Sequence, residues 1–200
     1  MPLTDRGRRL VLPLVAFLLG LAALGAAAIL TFRPGTGSSV ATSSVGGPFA
    51  LVSHEGKMVT DRDLRGAPYL VFFGFTHCPD VCPTKLLEIS EILKATGERG
   101  RDLRALFITV DPERDTPEVM RSYLGSFDPR IVGLTGSREA VDAAVRAFRA
   151  YAKRVPLKEG DYTMEHTSLV YLLDGQGRFV NAFNTSLAPA AAAEAWLRQS

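Results

Sequence analysis

Two cysteines, Cys78 and Cys82, are the residues of this 200-residue sequence best suited to chemistry. They are the chain's only cysteines, three residues separate them, and each is followed by a proline. Since a residue before proline avoids the α region, neither cysteine is expected inside a helix, and Cys82 is predicted to be the N-cap of a helix that begins at Pro83. Unpaired N–H groups at a helix start favour a negative sulfur, so both thiols are predicted to ionise easily.

The three-residue spacing allows two kinds of chemistry. A loop of this length brings its sulfurs close enough either to bind one soft metal ion or to form a disulfide. A purely structural disulfide is a further alternative, although so small a loop constrains an unfolded chain only weakly. A structural zinc site is disfavoured, because it needs four ligands that are usually supplied by paired cysteine motifs. The spacing therefore leaves both a metal site and a redox-active disulfide open.

The elements that must position these cysteines alternate between strand and helix patterns. Continuous apolar runs predict buried strands over Tyr69–Phe75, Leu103–Val110 and Ile131–Leu134. Helices are predicted over Pro83–Thr96, Pro117–Phe127, Arg138–Lys153 and Ala190–Arg198. Hairpins are predicted from Phe49–Ser53 with Lys57–Thr60 and from Ser168–Asp174 with Arg178–Phe183. This order predicts an α/β, thioredoxin-like fold with a parallel, helix-covered sheet, an N-terminal β-hairpin and an inserted hairpin or loop.

Three histidines are candidates for a third metal ligand. His54 lies in a polar turn and is interpreted as a solvated loop residue. His77 directly precedes Cys78, so its side chain is expected to leave an extended segment on the opposite side, which makes it a weaker candidate. His166 precedes a strand that a thioredoxin-like sheet would place beside the strand ending at Phe75, so its imidazole would lie over the cysteine loop. Two thiolates and one imidazole suit Cu(I) and tolerate Cu(II) with an added oxygen, whereas a surface or merely hydrogen-bonded His166 is the alternative.

The N-terminal segment predicts a membrane anchor. Residues 10–32 carry no charge and would form a helix of about 34 Å, long enough for a hydrocarbon core of about 30 Å. Three arginines precede this run and one follows it closely, which predicts residues 1–9 as a cytoplasmic tail and the remainder outside. A cleaved signal peptide is the alternative, but its apolar region is usually shorter. Residues 33–48 have the composition of a flexible tether, which leaves residues 49–200 as the folded domain.

The charge balance argues against nucleic acid as a partner. The chain carries 23 Lys and Arg and 21 Asp and Glu. Removing the four arginines and one aspartate of residues 1–33 leaves 19 basic and 20 acidic residues. A domain without net positive charge has no field that would gather phosphate backbones.

Several of these motifs resemble the Sco/SenC family of membrane-anchored copper proteins, which help to assemble cytochrome c oxidase. The resemblance covers the anchor and residues 46–196, and the cysteine loop is its most specific part. The segments that carry it are Gly46–Phe49, Tyr69–Pro83, Val110–Pro117 and Asp161–Tyr162 with His166–Ser168.

The resemblance implies a copper site formed by Cys78, Cys82 and His166, which would hold Cu(I), Cu(II) or both. It also implies that Asp111 and Asp115 lie near that site, although helix capping by Asp115 and Thr116 explains their loop equally well. The two thiolates would also make the site redox-sensitive, because a Cys78–Cys82 disulfide cannot bind copper and must be reduced before loading.

The implied function is that of a copper metallochaperone rather than an enzyme. It would deliver copper to the binuclear centre of cytochrome c oxidase subunit II, with other periplasmic copper carriers and thiol reductants as further partners. The alternative is a thiol-disulfide oxidoreductase that reduces the cysteines of that subunit, or a redox sensor. The anchor and the Ala- and Arg-rich composition predict a single-pass protein of a bacterial inner membrane, with its C-terminal domain in the periplasm.

Overall fold

The computed structural model describes residues 17–22, 24 and 45–199. The chain divides into two compact units, Met1–Ser43 and Ser44–Ser200. The predicted anchor at residues 10–32 and tether at residues 33–48 lie largely outside the described residues. Among the residues that are described, no helix is both long and apolar enough to cross a membrane.

The described part of the second unit contains nine strands and four α-helices. The strands are β1 Ala50–Ser53, β2 Met58–Thr60, β3 Tyr69–Gly74, β4 Arg104–Thr109, β5 Ile131–Thr135, β6 Ala152–Pro156, β7 Tyr162–His166, β8 Val170–Leu173 and β9 Phe179–Ala182. The α-helices are α1 Val81–Thr96, α2 Pro117–Leu124, α3 Arg138–Ala147 and α4 Pro189–Leu197. Short 3-10 helices cover Asp61–Leu64, Gly97–Gly100 and Lys158–Gly160.

Seven strands form one mixed sheet in the order β2-β1-β5-β4-β3-β8-β9. Strand β4 is parallel to both of its neighbours, β3 and β5, while the remaining pairs in the sheet are antiparallel. Strands β6 and β7 form a separate two-stranded sheet, which is the predicted inserted segment. The predicted α/β class, the N-terminal hairpin and the parallel centre of the sheet are confirmed.

Strand β3 is the centre of the core and leads directly to the cysteines. All six of its residues are buried, as its uninterrupted run of apolar side chains predicts for a strand covered on both faces. It pairs with β4 on one side and with β8 on the other. Every residue on such a strand is fixed by packing, so the loop that follows β3 starts from a rigid position.

The predicted helix over Arg138–Lys153 is wrong beyond Ala147. The helix ends there with a Schellman motif, in which the Ala150 N–H donates to the Val145 carbonyl and the Arg149 N–H donates to the Arg146 carbonyl. Arg149 takes a φ of 52°, the left-handed conformation that a glycine usually supplies at this position. The chain then enters β6, so the sequence pattern missed the end of the helix because no glycine marks it.

Candidate metal centre

The cysteine loop joins the buried end of β3 to the first turn of α1. Helix α1 begins at Val81 and its N-cap is Asp80, so the prediction that Cys82 caps a helix beginning at Pro83 is wrong. Pro83 is instead the third helical residue. The first four N–H groups of a helix have no intrahelical partner, so the missing N–H of Pro83 leaves no hydrogen bond unmade. Cys82 therefore lies inside the helix, on its first turn.

Cys82 is completely buried, with a relative exposure of 0%. Its Sγ packs against Gly74 so closely that a Cβ added at Gly74 would lie 2.8 Å from that sulfur and 2.6 Å from the Phe107 ring. Burial raises the pKa of the Cys82 thiol well above its usual range, while a hydrogen bond from the Phe75 backbone acts in the opposite direction. The prediction that both thiols ionise easily is wrong for Cys82, because desolvation outweighs the helix N-terminus.

Cys78 lies closer to solvent and is half-buried. Its backbone N–H donates to the Phe75 carbonyl at 3.2 Å, which closes the turn after β3. Its Sγ accepts a hydrogen bond from the Cys82 N–H at 3.4 Å. Both cysteines are free thiols in this structure. The loop thus places one sulfur towards solvent and the other in the core.

His166 reaches the cysteines from the far end of the inserted hairpin. It is the last residue of β7, a separate strand, and not the start of the strand that pairs with β3. Its Nε2 lies 3.6 Å from the Cys82 Sγ, and its Nδ1 lies 3.1 Å from the Thr167 carbonyl oxygen. Since a carbonyl only accepts, Nδ1 carries the proton and Nε2 presents its lone pair to the sulfur. Burial lowers the pKa of His166, which favours the neutral imidazole that a metal requires.

The candidate ligand atoms of Cys78, Cys82 and His166 all lie within 4.8 Å of one another. This is the sole group of three or more cysteine, histidine or acidic residues with such spacing in the described part of the chain. Thiolates are soft ligands and imidazole is of intermediate softness, so the set matches copper better than a hard cation such as Mg²⁺. Two thiolates and one imidazole can hold a single ion at the end of β3 and leave part of its coordination open.

The other two histidines lie outside this cluster. His54 is half-buried rather than solvated, and the prediction for it is wrong: its Nδ1 accepts a hydrogen bond from the Gly133 N–H at 2.9 Å. His77 is exposed, and its Nδ1 lies 3.1 Å from the Thr76 Oγ1. As expected from its place beside Cys78, the His77 side chain does not join the three candidate ligands.

Asp115 holds the start of the cysteine loop through hydrogen bonds to Thr76. It is fully buried and accepts hydrogen bonds from the Thr76 N–H at 3.1 Å, the Thr76 hydroxyl at 2.6 Å and the Thr109 hydroxyl at 2.6 Å. Burial raises its pKa, while these hydrogen bonds act in the opposite direction. The helix-capping alternative holds for Thr116 alone, whose hydroxyl accepts from the Val119 N–H at 3.3 Å. Asp115 thus fixes the loop that carries Cys78 without belonging to the cluster.

Asp111 connects the same region to the inserted hairpin. It is also fully buried, forms an ion pair with Arg114 and accepts a hydrogen bond from the Tyr162 hydroxyl at 2.9 Å. The Tyr162 ring is flanked by two guanidinium groups, with the Arg114 Cζ at 3.7 Å and the Arg154 Cζ at 3.5 Å from its centroid. This cation–π arrangement holds the start of β7, the strand that ends at His166.

Four of these supporting residues were missed at the level of the sequence: Gly74, Thr76, Thr109 and Arg114. Gly74 had a usable signal, since a glycine at the end of a buried strand often marks a close approach to the backbone. Thr76 had none, because its partner Asp115 lies 39 residues along the chain, whereas Thr109 and Arg114 contact Asp115 and Asp111 within six residues.

Comparison with known proteins agrees with this geometry. Residues 38–199 match the protein-family model described as SCO1/SenC. The copper-bound structure of ScoI from Bradyrhizobium japonicum is 53% identical, with a TM-score of 0.77, and the alignment covers 78% of this chain and 100% of that one. The mitochondrial SCO1 homolog of Homo sapiens is 44% identical over 142 residues, which are 70% of this chain and 47% of that protein.

A bacterial relative gives a similar result. Protein SenC of Rhodobacter capsulatus is 40% identical over 157 residues, which are 78% of this chain and 70% of that protein. The chain spans only about half the length of the human relative, whereas the structural alignment covers the whole of the bacterial ScoI chain. The family match extends over most of the sequence and includes the cysteine loop, the Asp111 and Asp115 loop and the hairpin that carries His166. This chain therefore belongs to the SCO1/SenC family.

Proposed function

We propose that this protein is a copper metallochaperone, which delivers copper to the binuclear centre of cytochrome c oxidase subunit II during assembly. The observation that carries the proposal is the convergence of the Cys78, Cys82 and His166 ligand atoms within 4.8 Å. The copper bound in the structure of the Bradyrhizobium japonicum relative supports copper as the cargo. The implied role of the family in oxidase assembly supports the oxidase as the recipient.

Transfer would proceed by ligand exchange. Three protein ligands leave an open position at which an incoming thiolate or imidazole of the recipient can bind before a sulfur of the chaperone leaves. The half-buried Cys78 gives the recipient access to the ion, whereas a closed four-coordinate cage would not. Both cysteines must be reduced to act as ligands, so a Cys78–Cys82 disulfide would block loading until a thiol reductant opens it.

The proposal also places the protein at a membrane. Residues 1–9 would lie in the cytoplasm, residues 10–32 would span the bacterial inner membrane once, and residues 33–48 would tether the domain of residues 49–200 in the periplasm. The charge pattern around residues 10–32 supports this orientation. In this position the cysteine loop is available both to other periplasmic copper carriers and to an oxidase subunit in the same membrane.

The decisive experiment counts the ligands of bound copper. X-ray absorption on the full chain, loaded with one equivalent of Cu(I), is expected to show two sulfur neighbours and one nitrogen neighbour. His166→Ala should remove the nitrogen and weaken Cu(I) binding more than about a hundredfold, since loss of a mere outer partner already costs about 10- to 100-fold. His54→Asn removes an imidazole outside the cluster and should bind copper like the wild type.

An unchanged affinity in His166→Ala would remove that residue from the site. A wild-type chain that binds no Cu(I) after reduction would contradict the chaperone function itself.

A second candidate function is thiol-disulfide exchange with the oxidase subunit. The observation in its favour is the contact between the Cys82 N–H and the Cys78 Sγ, which places two free thiols next to each other. The burial of Cys82 leaves Cys78 as the attacking sulfur and Cys82 as the resolving one. The His166→Ala variant separates the two functions: a reductase would keep its activity towards the subunit's disulfide, whereas a chaperone would lose oxidase assembly.

A further inference from the structure

The residues around the cysteine loop form a gradient of exposure. His77 is exposed, Cys78 is half-buried and Cys82 is fully buried. The His77 side chain is therefore the most accessible of the three to an ion from solvent or from another protein. Binding of such an ion by His77 requires a ring nitrogen with a free lone pair.

The hydrogen bonds of the loop fix the tautomer of His77. The Thr76 hydroxyl has one proton, which it donates to the Asp115 carboxylate at 2.6 Å. Its oxygen can then only accept, so the contact of 3.1 Å with the His77 Nδ1 requires a proton on Nδ1. The Nε2 atom of His77 is left with a free lone pair on an exposed side chain. A histidine whose one ring nitrogen is fixed by a hydrogen bond presents the other nitrogen in a set orientation, as metal-binding histidines do.

His166 has the same arrangement. Its Nδ1 donates to the Thr167 carbonyl, and its Nε2 faces the Cys82 sulfur. The two imidazoles thus have the same protonated nitrogen and the same free one. The His166 Nε2 faces the buried Cys82 sulfur, and the His77 Nε2 belongs to an exposed side chain next to Cys78.

An open cleft lies beside His77. It has a volume of about 350 Å³ and is lined by Thr76, His77 and three residues of α2, namely Val119, Ser122 and Tyr123. The Tyr123 hydroxyl is buried and has no hydrogen-bond partner among the described residues. The Tyr123 ring lies 6.0 Å from the Phe107 ring, which packs at Gly74 beside the Cys82 sulfur, so this wall of the cleft borders the cysteine loop.

From these observations we infer that His77 is a capture ligand, which binds copper at the mouth of the site before the ion moves to Cys78, Cys82 and His166. This inference rests on the proposed function, because it concerns the route by which the same cargo is loaded. His77 is not needed in the final ligand set. It therefore governs the rate of loading and not the affinity of the loaded site.

The capture step conserves charge and oxidation state. Cu(I) forms a bond to the neutral Nε2 of His77 and loses one bond to its donor, with no proton released. The Cys78 and Cys82 thiols then each transfer a proton to water as their Cu–S bonds form, and the His166 Nε2 replaces that of His77. Copper remains Cu(I) throughout.

The test measures loading and affinity separately on the reduced full chain. Cu(I) is supplied as its coloured bis-bicinchoninate complex, and stopped-flow absorbance follows the loss of colour. His77→Ala is expected to slow loading about tenfold. Loss of a residue that supports a metal site typically costs about 10- to 100-fold, and the lower value is expected here. Its stoichiometry and its Cu(I) affinity at equilibrium are expected to match the wild type, because the final three ligands remain.

Two further variants test whether the rate of loading depends on the hydrogen bonds that join His77, Thr76 and Asp115. Thr76→Val removes the hydroxyl that fixes the tautomer, so it should slow loading and change the ¹⁵N chemical shifts of the His77 ring nitrogens. Thr76→Ser keeps the hydroxyl and should restore both. A merely structural role of Thr76 would leave the ring shifts of His77 unchanged.

Equal loading rates in the wild type and His77→Ala would overturn the capture role while leaving the chaperone function intact. A weaker equilibrium affinity in His77→Ala would also overturn it, since His77 would then belong to the final site. Failure of the wild type to bind Cu(I) at all would instead contradict the proposed function, and the capture role with it.

Discussion

The candidate site has an inner half and an outer half, which differ in what holds them. The inner half is Cys82, which packs against Gly74 at the end of a fully buried strand. The outer half is the turn with His77 and Cys78, which lies at the surface and is secured by hydrogen bonds to the buried Asp115. The inner half is fixed by packing and the outer half by polar contacts.

The difference shows how one short motif can serve two needs. A cargo site must hold its ion and also release it, and a single environment does not favour both. Burial keeps the Cys82 thiol protonated until a metal displaces its proton, which opposes oxidation of the empty site. Exposure leaves Cys78 open to exchange with another protein. The motif thus combines a protected sulfur with an accessible one.

The difference between the inner and outer halves is tested most directly by replacing each sulfur in turn. Both Cys82→Ser and Cys78→Ser should weaken Cu(I) binding more than about a hundredfold, because a hydroxyl is a poor ligand for soft Cu(I) and each loses one of three ligands. Their stabilities should differ. Cys82→Ser places a hydroxyl in the core and should lower the free energy of unfolding of the apo protein by about 1–3 kcal/mol, whereas Cys78→Ser should change it by less than about 0.5 kcal/mol.

Urea denaturation of the two reduced, copper-free variants measures these free energies. Equal losses of stability would show that the two sulfurs do not differ in their structural environment.

A smaller effect is expected in the chemical reactivity of the two thiols. Iodoacetamide reacts with thiolate, and the raised pKa of Cys82 reduces its thiolate fraction about tenfold for each pKa unit. At pH 8 we expect Cys78 to be alkylated at least about tenfold faster than Cys82. Peptide mass spectrometry of the reduced apo chain measures both rates in one sample, and unfolding in urea should make them equal. Faster alkylation of Cys82 in the folded chain would reverse the assignment of inner and outer sulfur.

The smallest effect concerns the pH dependence of stability. The pKa of Cys82 is higher in the folded chain than in the unfolded one, so its contribution is complete below the unfolded pKa of about 8.5 and is lost as the pH rises above it. We expect the free energy of unfolding of the apo protein to fall by up to about 1.4 kcal/mol per pH unit between about pH 9 and 10. The raised pKa values of Tyr69 and Tyr123 add to this loss only above about pH 10.

Cys82→Ala should remove this slope, whereas Cys78→Ala should keep it. A slope that persists in Cys82→Ala would assign it to another group.

Most of the main sheet could be predicted from the sequence, since its strands are uninterrupted apolar runs bounded by clear turns. Thr116 and Ser137 both cap helices and are residue types that the sequence alone marks as N-caps, because N-capping depends on local side-chain chemistry. The C-terminal end of α3 and the strand β6 could not be predicted, since Arg149 adopts a conformation that its residue type does not indicate.

The candidate ligands could be proposed from the sequence, but their properties could not. The sequence pattern placed His166 over the cysteine loop through the strand that follows it, which does pair with β3, but it did not indicate that His166 itself ends a strand of a separate sheet. The low acidity of Cys82 depends on packing against Gly74 and Phe107, which the helix-terminus argument does not include. The hydrogen bond of His54 to Gly133 depends on a strand 79 residues away.

The inserted hairpin has a consequence for how the protein opens. No strand of the seven-stranded sheet pairs with β6 or β7, so main-chain ladders do not tie this hairpin to the core. The start of β7, at the turn end of the hairpin, is held by the contacts of Tyr162 with Asp111 and the flanking arginines. Such a segment exchanges its amide protons through local opening, at a lower free energy than global unfolding. We therefore expect the His166 imidazole to leave the two sulfurs at a lower free energy than global unfolding, with Met164 as the buried contact of β7 that must be loosened.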